Sequence, residues 1–149
     1  MTGIVSTLAL LLTLCAGAAL AQAQITATVH VIGNDDGGPL RQRLAEVQRL
    51  NARGARVEIR GAHCHSACTL YLGVRNLCIL PQTEFGFHGP VYPDRPMARE
   101  RFDHWSRAMA AHYPPPVAGW FMTTARHVAS GYVALRGEAL IGLGIPRCR

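Results

Sequence analysis

Lysine is absent from this 149-residue chain, and each of its 15 basic side chains is an arginine. That excludes a serine–lysine dyad and a Schiff-base mechanism, both of which need a titratable amine. The arginines form no run and are dispersed along the chain. A formal charge of +6 therefore argues for weak attraction to anionic surfaces and against nucleic-acid binding. The apolar run from Leu8 to Leu14 is too short to span a bilayer.

What that N-terminal stretch does resemble is a secretory signal over residues 1–23. Ala19-Leu20-Ala21 and Ala21-Gln22-Ala23 both suit a cleavage site, although only the amino terminus charges the leading segment. A lipid anchor at Cys15 is disfavoured by the bulky Leu14 before it. The chain is thus expected to be exported, periplasmic or secreted in a bacterium, with residues 24–149 as its single domain and no membrane span after cleavage. Cys64, Cys68, Cys78 and Cys148 remain, which in an exported chain suggests two disulfides with three connectivities open. Cys64 with Cys68 is geometrically tight, and a bridge to Cys148 would tie down the C-terminus.

Residues 25–32 alternate and then turn apolar, as a strand that becomes buried does. Gly33 to Gly38 is a turn, Pro39 suits the first position of a helix, and Leu40, Leu44 and Val47 follow at helical spacing up to a stop at Gly54. Arg56–Arg60 is a second strand, so the order predicts a βαβ unit with parallel strands. Beyond it come a helix from Ser66 to about Gly73, a buried strand at Leu77–Leu80 closed by Pro81, and an alternating strand at Thr83–His88. Tyr92–Pro96 is a proline-punctuated loop. Helices are expected over Met97–His112, Val117–Val128 and, briefly, Arg136–Gly144. The class is α/β.

The stretch Gly61-Ala62-His63-Cys64-His65-Ser66-Ala67-Cys68 joins strand to helix and holds one serine at the turn. Such a hydroxyl sits beside free backbone N–H groups and a partial positive charge. Taken alone, Ser66 reads as a helix cap and His88 as an ordinary surface or core histidine. Their conjunction with Gly37-Gly38 changes the reading. Both turns fall at carboxyl ends of parallel strands, where ligands bind, and glycines let a backbone approach closely. A nucleophile beside an oxyanion hole is what acyl transfer needs.

In its ordering the chain resembles the ClpP/crotonase superfamily, in particular the Clp protease proteolytic subunit and its periplasmic relatives. Asn34-Asp35-Asp36-Gly37-Gly38 stands where the family has Asn-Ser-Pro-Gly-Gly, and Gly61 with Ser66 stands, one residue longer, for its Gly-x-x-x-Ser turn. Cys78–Pro81 and His88-Gly89-Pro90 follow in order. Gly137–Ile145 is similar to its Glu-Ala-x-x-x-Gly-Leu-Ile segment. The resemblance implies a ClpP/crotonase-like core of repeated β-β-α and βαβ units, with Ser66 as nucleophile and His88 as general base. The N–H groups of Gly38 and Ala67 would form the oxyanion hole, Gly37 shaping the turn. Peptide or acyl substrates are implied, and a homo-oligomer stays open. No cofactor, metal or partner ATPase is expected, since an exported chain would meet neither a cytoplasmic unfoldase nor ATP.

One element departs from the pattern. The family's third triad member is an aspartate shortly before the Glu-Ala segment, and Ala129–Ala134 contains no acid. Asp94, Asp103 and Glu138 are the candidate substitutes, each requiring the loop after His88 to fold back. A non-catalytic ClpP-like binding domain is therefore the second reading. A small exported metal-binding protein is the third, with His63, Cys64, His65 and Cys68, joined by Cys78 and His88, as its ligands. The aromatics Phe102, Trp105, Trp120 and Phe121 read as core or as a cover over the sheet, with a pocket lining as the alternative. Arg99, Arg101 and Arg107 read as a solvated helix face.

Overall fold

A computed structural model describes residues 28–92 and 94–149. The expected signal segment, residues 1–23, and the start of the first expected strand lie outside them. Strand β1 (Val29–Ile32) leads to helix α1 (Leu40–Ala52) and strand β2 (Arg56–Ile59), as the spacing predicts. The two strands pair in parallel, Val29 opposite Arg56 and Ile32 opposite Ile59. Strand β4 (Leu77–Ile79) joins the other side of β2, also in parallel, so β1 is an edge. Only Ile32 of β1 is buried, and Val29 and Val31 face out.

The second sheet is where the structure departs from the expected elements. Residues 63–65, read above as part of a turn, form strand β3 (His63–His65), which pairs in parallel with β5 (Glu84–Phe87). β5 pairs antiparallel with β6 (Val133–Arg136), a strand not expected from sequence. Ser66 therefore follows β3 and not β2. The chain changes sheets at both turns. After β1, Asp35 bridges to Cys64, its N–H donating to His63 O at 3.2 Å and its carbonyl accepting from His65 N at 2.8 Å. Gly61 makes this crossing feasible, since a Cβ there would stand 2.2 Å from Gly33 O.

The segment Ser66–Gly73 is helical as expected, but it is a tight 3₁₀ segment and not an α-helix. Six of its residues are buried, including Cys68, Thr69, Leu70 and Tyr71, so packing on both sides outweighs the poorer hydrogen-bond geometry. Helix α2 (Arg99–Ala110) turns Ser106 and Met109 inward. Helix α3 (Pro115–Thr123) begins two residues earlier than expected, because prolines are tolerated where no intrahelical N–H bond is needed. It ends at Thr123, followed by a 3₁₀ turn at Ala125–His127. Helix α4 (Gly137–Gly142) follows β6 directly. The core runs between the sheets and helices through Val47, Val57, Ile59, Leu70, Ile79, Phe85, Phe87, Phe121 and Leu140. Trp120 stands edge-on to Phe87 at 5.2 Å. The result is one compact mixed α/β domain.

Disulfides join Cys64 to Cys68 and Cys78 to Cys148. The first closes a small ring around the serine. The second fixes the C-terminal strand-like segment, where Arg147 bridges to Ile79 and Cys148 N–H bonds to Ile79 O at 2.9 Å. With every described cysteine oxidised, no thiolate is left for the metal reading that included Cys64, Cys68 and Cys78.

Candidate active site

Ser66 sits between β3 and the 3₁₀ segment with φ +55°, alone among the described non-glycine residues in having a positive φ. That conformation costs an L-residue about 1–2 kcal/mol and is characteristic of nucleophiles presented at a sharp strand-to-helix turn. Several contacts hold it there. The Cys64–Cys68 bridge closes the ring on both sides. Thr69 Oγ1 donates to Ser66 O at 2.8 Å, and the fully buried Thr69 in turn accepts from Tyr113 Oη at 2.8 Å. Burial pushes the Tyr113 hydroxyl well above the ordinary phenol range, so it remains a donor.

His88, one residue past β5, brings Nε2 within 2.7 Å of Ser66 Oγ. Its Nδ1 lies 2.6 Å from Gly89 O. A carbonyl only accepts, so Nδ1 is the donor to Gly89 O, which leaves Nε2 facing the serine hydroxyl. Gly89 is locked against the turn after α3: a Cβ there would stand 1.9 Å from Arg126 O, and Gly89 N–H bonds to Val128 O at 3.1 Å. The carbonyl that orients the imidazole is thereby fixed.

None of the candidate acids hydrogen-bonds to His88. Asp103 is paired with Arg126, whose hydrogen bond and charge hold its carboxyl below the usual range. Asp94 is exposed in the loop after Tyr92, and Glu138 is exposed in the first turn of α4.

The Gly37-Gly38 turn does reach the serine. A Cβ on Gly37 would fall 2.7 Å from Ser66 Cβ and 2.9 Å from Ala67 N, and φ is +106° there and +128° at Gly38. Gly37 N–H is taken by Asp35 Oδ1 at 2.7 Å. Among the described hydrogen bonds, none uses the N–H of Gly38 or Ala67. Arg43 braces the turn from α1, donating to Asp35 Oδ2 at 2.8 Å and Gly37 O at 3.0 Å. Its guanidinium lies over Tyr71, 4.4 Å from the ring centre, and contacts Tyr71 Oη. Burial, then the bond to Glu46, raises the Tyr71 hydroxyl well above its ordinary range. Sequence reasoning did not single out Asp35 or Arg43. The Asp-x-Gly order of an Asx turn marks the first, whereas nothing local marks the second.

Ser66 and His88 open into a cleft of about 770 Å³. It is lined by Gly38 to Gln42 and Ala67, by Gly89 to Tyr92, and by Met97, Trp105 and Met109. Trp105 thus lines the cleft, with Arg41 5.0 Å from its ring centre, while Trp120 and Phe121 belong to the core. Arg99, Arg101 and Arg107 are exposed on α2, Arg101 reaching Tyr92 Oη at 3.0 Å.

No protein-family model matches the chain, and no curated protein matches it either. The site must be read from its own chemistry. A hydroxyl against an imidazole nitrogen, with free amides of a glycine turn and a helix start close by, suits attack on an acyl carbon. His63 and His65 are not among the residues that line this cleft and meet Asp36 instead.

Proposed function

We propose that this chain is a serine hydrolase of ClpP/crotonase type, peptidase-like and independent of ATP, acting through a Ser66–His88 dyad. The observation that carries this reading is the 2.7 Å contact between Ser66 Oγ and His88 Nε2 at the floor of an apolar cleft. In the proposed reaction His88 Nε2 takes the hydroxyl proton as Ser66 Oγ bonds to the acyl carbon. The resulting oxyanion is held by the N–H groups of Gly38 and Ala67, with Gly37 keeping the turn close. His88 then returns the proton to the leaving group, and water releases the acyl-enzyme by the same route. Gly89 O does the orienting that a carboxylate does in a complete triad, without supplying its negative charge. Replacing the carboxylate of a related triad costs about 10⁴ in turnover through the wrong tautomer; Gly89 O keeps the right one, so turnover below a complete triad's, by less than that factor, is expected.

The apolar walls favour an apolar side chain or acyl group next to the scissile carbonyl. Export is part of the proposal and rests on the apolar leader at residues 1–23 together with two disulfides. Among the described residues no helix is long and apolar enough to cross a membrane. Hydrolysis of an activated ester or an apolar peptide, lost in both Ser66→Ala and His88→Ala with folding intact, would support the dyad. Equal turnover in wild type and both variants would refute it.

A second reading, a binding domain that keeps this cleft without catalysis, is favoured by the missing carboxylate on His88. It predicts peptide binding that survives Ser66→Ala and no turnover in any form.

A further inference from the structure

On the face of β3 opposite buried Cys64, His63 and His65 meet Asp36 from the glycine turn. His63 Nε2 lies 3.0 Å from Asp36 Oδ1 and His65 Nδ1 lies 3.7 Å from the same oxygen. One possible ligand atom from each of the three residues lies within 4.8 Å of the others. Two observations separate this group from a surface ion pair. The first is that His63 Nε2 is buried yet makes no hydrogen bond, its approach to Asp36 being close but misdirected. A buried polar atom without a partner is costly and asks for a ligand.

The second concerns the far side of His65. Its Nε2 is 3.1 Å from Glu84 Oε1, and Glu84 also accepts from Tyr132 Oη at 3.3 Å. The ring is stacked between His63 at 4.7 Å and Tyr132 at 4.3 Å. A carboxylate on one imidazole nitrogen fixes the tautomer and aims the other lone pair, as in carboxylate–histidine–metal arrangements. Here the other nitrogen is Nδ1, which lies 3.7 Å from Asp36 Oδ1.

We propose that Asp36 Oδ1, His63 Nε2 and His65 Nδ1 bind a divalent cation of the zinc type, leaving a fourth position for water. Tetrahedral bonds of about 2.0–2.1 Å require donor separations of about 3.4 Å, and the contacts to Asp36 fall on either side of that value. Two imidazoles exclude calcium and magnesium, which take oxygen donors. The ion joins the residue before Gly37 to the residue before Ser66, so it staples together the two turns that frame the serine. It stands whether or not Ser66 reacts.

The disulfide-intact protein, stripped with chelator, is titrated with zinc or cobalt ions. One equivalent should bind per chain, cobalt giving the visible absorption of four-coordinate geometry. Glu84→Gln should weaken binding about 10- to 100-fold, and Asp36→Asn and His63→Gln by at least as much. Asp36 is exposed, so its variant tests the site without threatening the fold. Failure to bind one equivalent, or binding equally tight in Asp36→Asn and His63→Gln, would overturn the proposal.

Discussion

Gly37 lies so close against Ser66 that one added methyl group would stand 2.7 Å from the serine Cβ. Real Cβ atoms do not approach that closely, and φ of +106° already disfavours any side chain. Gly37→Ala should therefore cost more than the roughly 1–3 kcal/mol of backbone strain alone, and should displace the turn from Ser66. Gly38→Ala meets open space and should cost only the strain. Denaturant unfolding of the two variants, with ester turnover beside it, checks the order. Equal losses would mean that the turn does not press on the serine.

Ser66 itself offers a sharper comparison. At φ +55° the usual preference of alanine over glycine should reverse, because both variants lack the hydroxyl and differ only in the Cβ. Ser66→Gly is expected to be about 1 kcal/mol more stable than Ser66→Ala, with both inactive. Alanine being the more stable would place the serine in an unstrained conformation.

The two disulfides should separate in size and in consequence. Loop-closure entropy gives about 2 kcal/mol for a bridge spanning 4 residues and about 4 kcal/mol for one spanning 70. Removing Cys64–Cys68 should thus cost less stability but more activity, since it frees the ring that holds Ser66. Paired alanine variants measured by unfolding and turnover test this crossing of effects.

Much of this was legible beforehand. The β1–α1–β2 unit follows from clear periodicity, a proline at the helix start and glycine punctuation around it. Ser66, His88 and the glycine turn could be named from order and residue type. Their contact could not, because β3 is only His63–His65, and its strand character comes from pairing with β5 and not from local propensity. β6 escaped notice for the same reason, four residues whose partner lies some fifty positions earlier. The Arg43 brace and the Gly89 carbonyl are tertiary facts with no local pattern. The cysteine count gave two bridges, and only the fold chose among three pairings.

Asp103 illustrates how a sequence candidate for catalysis becomes a structural group. Its hydrogen bond from Arg126 lowers its pKa below the ordinary 3.8. A depressed carboxylate contributes stability above its unfolded pKa, and that stability is lost as pH falls through the lower folded value. Asp103→Asn should therefore flatten the acid limb of the stability curve below about pH 4 and leave turnover at neutral pH unchanged. Thermal unfolding from pH 2 to 7 measures the first, and an ester assay the second.

The dyad is tested most directly by treating the folded protein with a fluorophosphonate and locating the adduct by peptide mass spectrometry. One phosphonyl group on Ser66 is expected in the wild type, strongly slowed in His88→Ala and absent in Ser66→Ala. A wild-type protein that stays unmodified, or is modified at another residue while Ser66 is free, would contradict it.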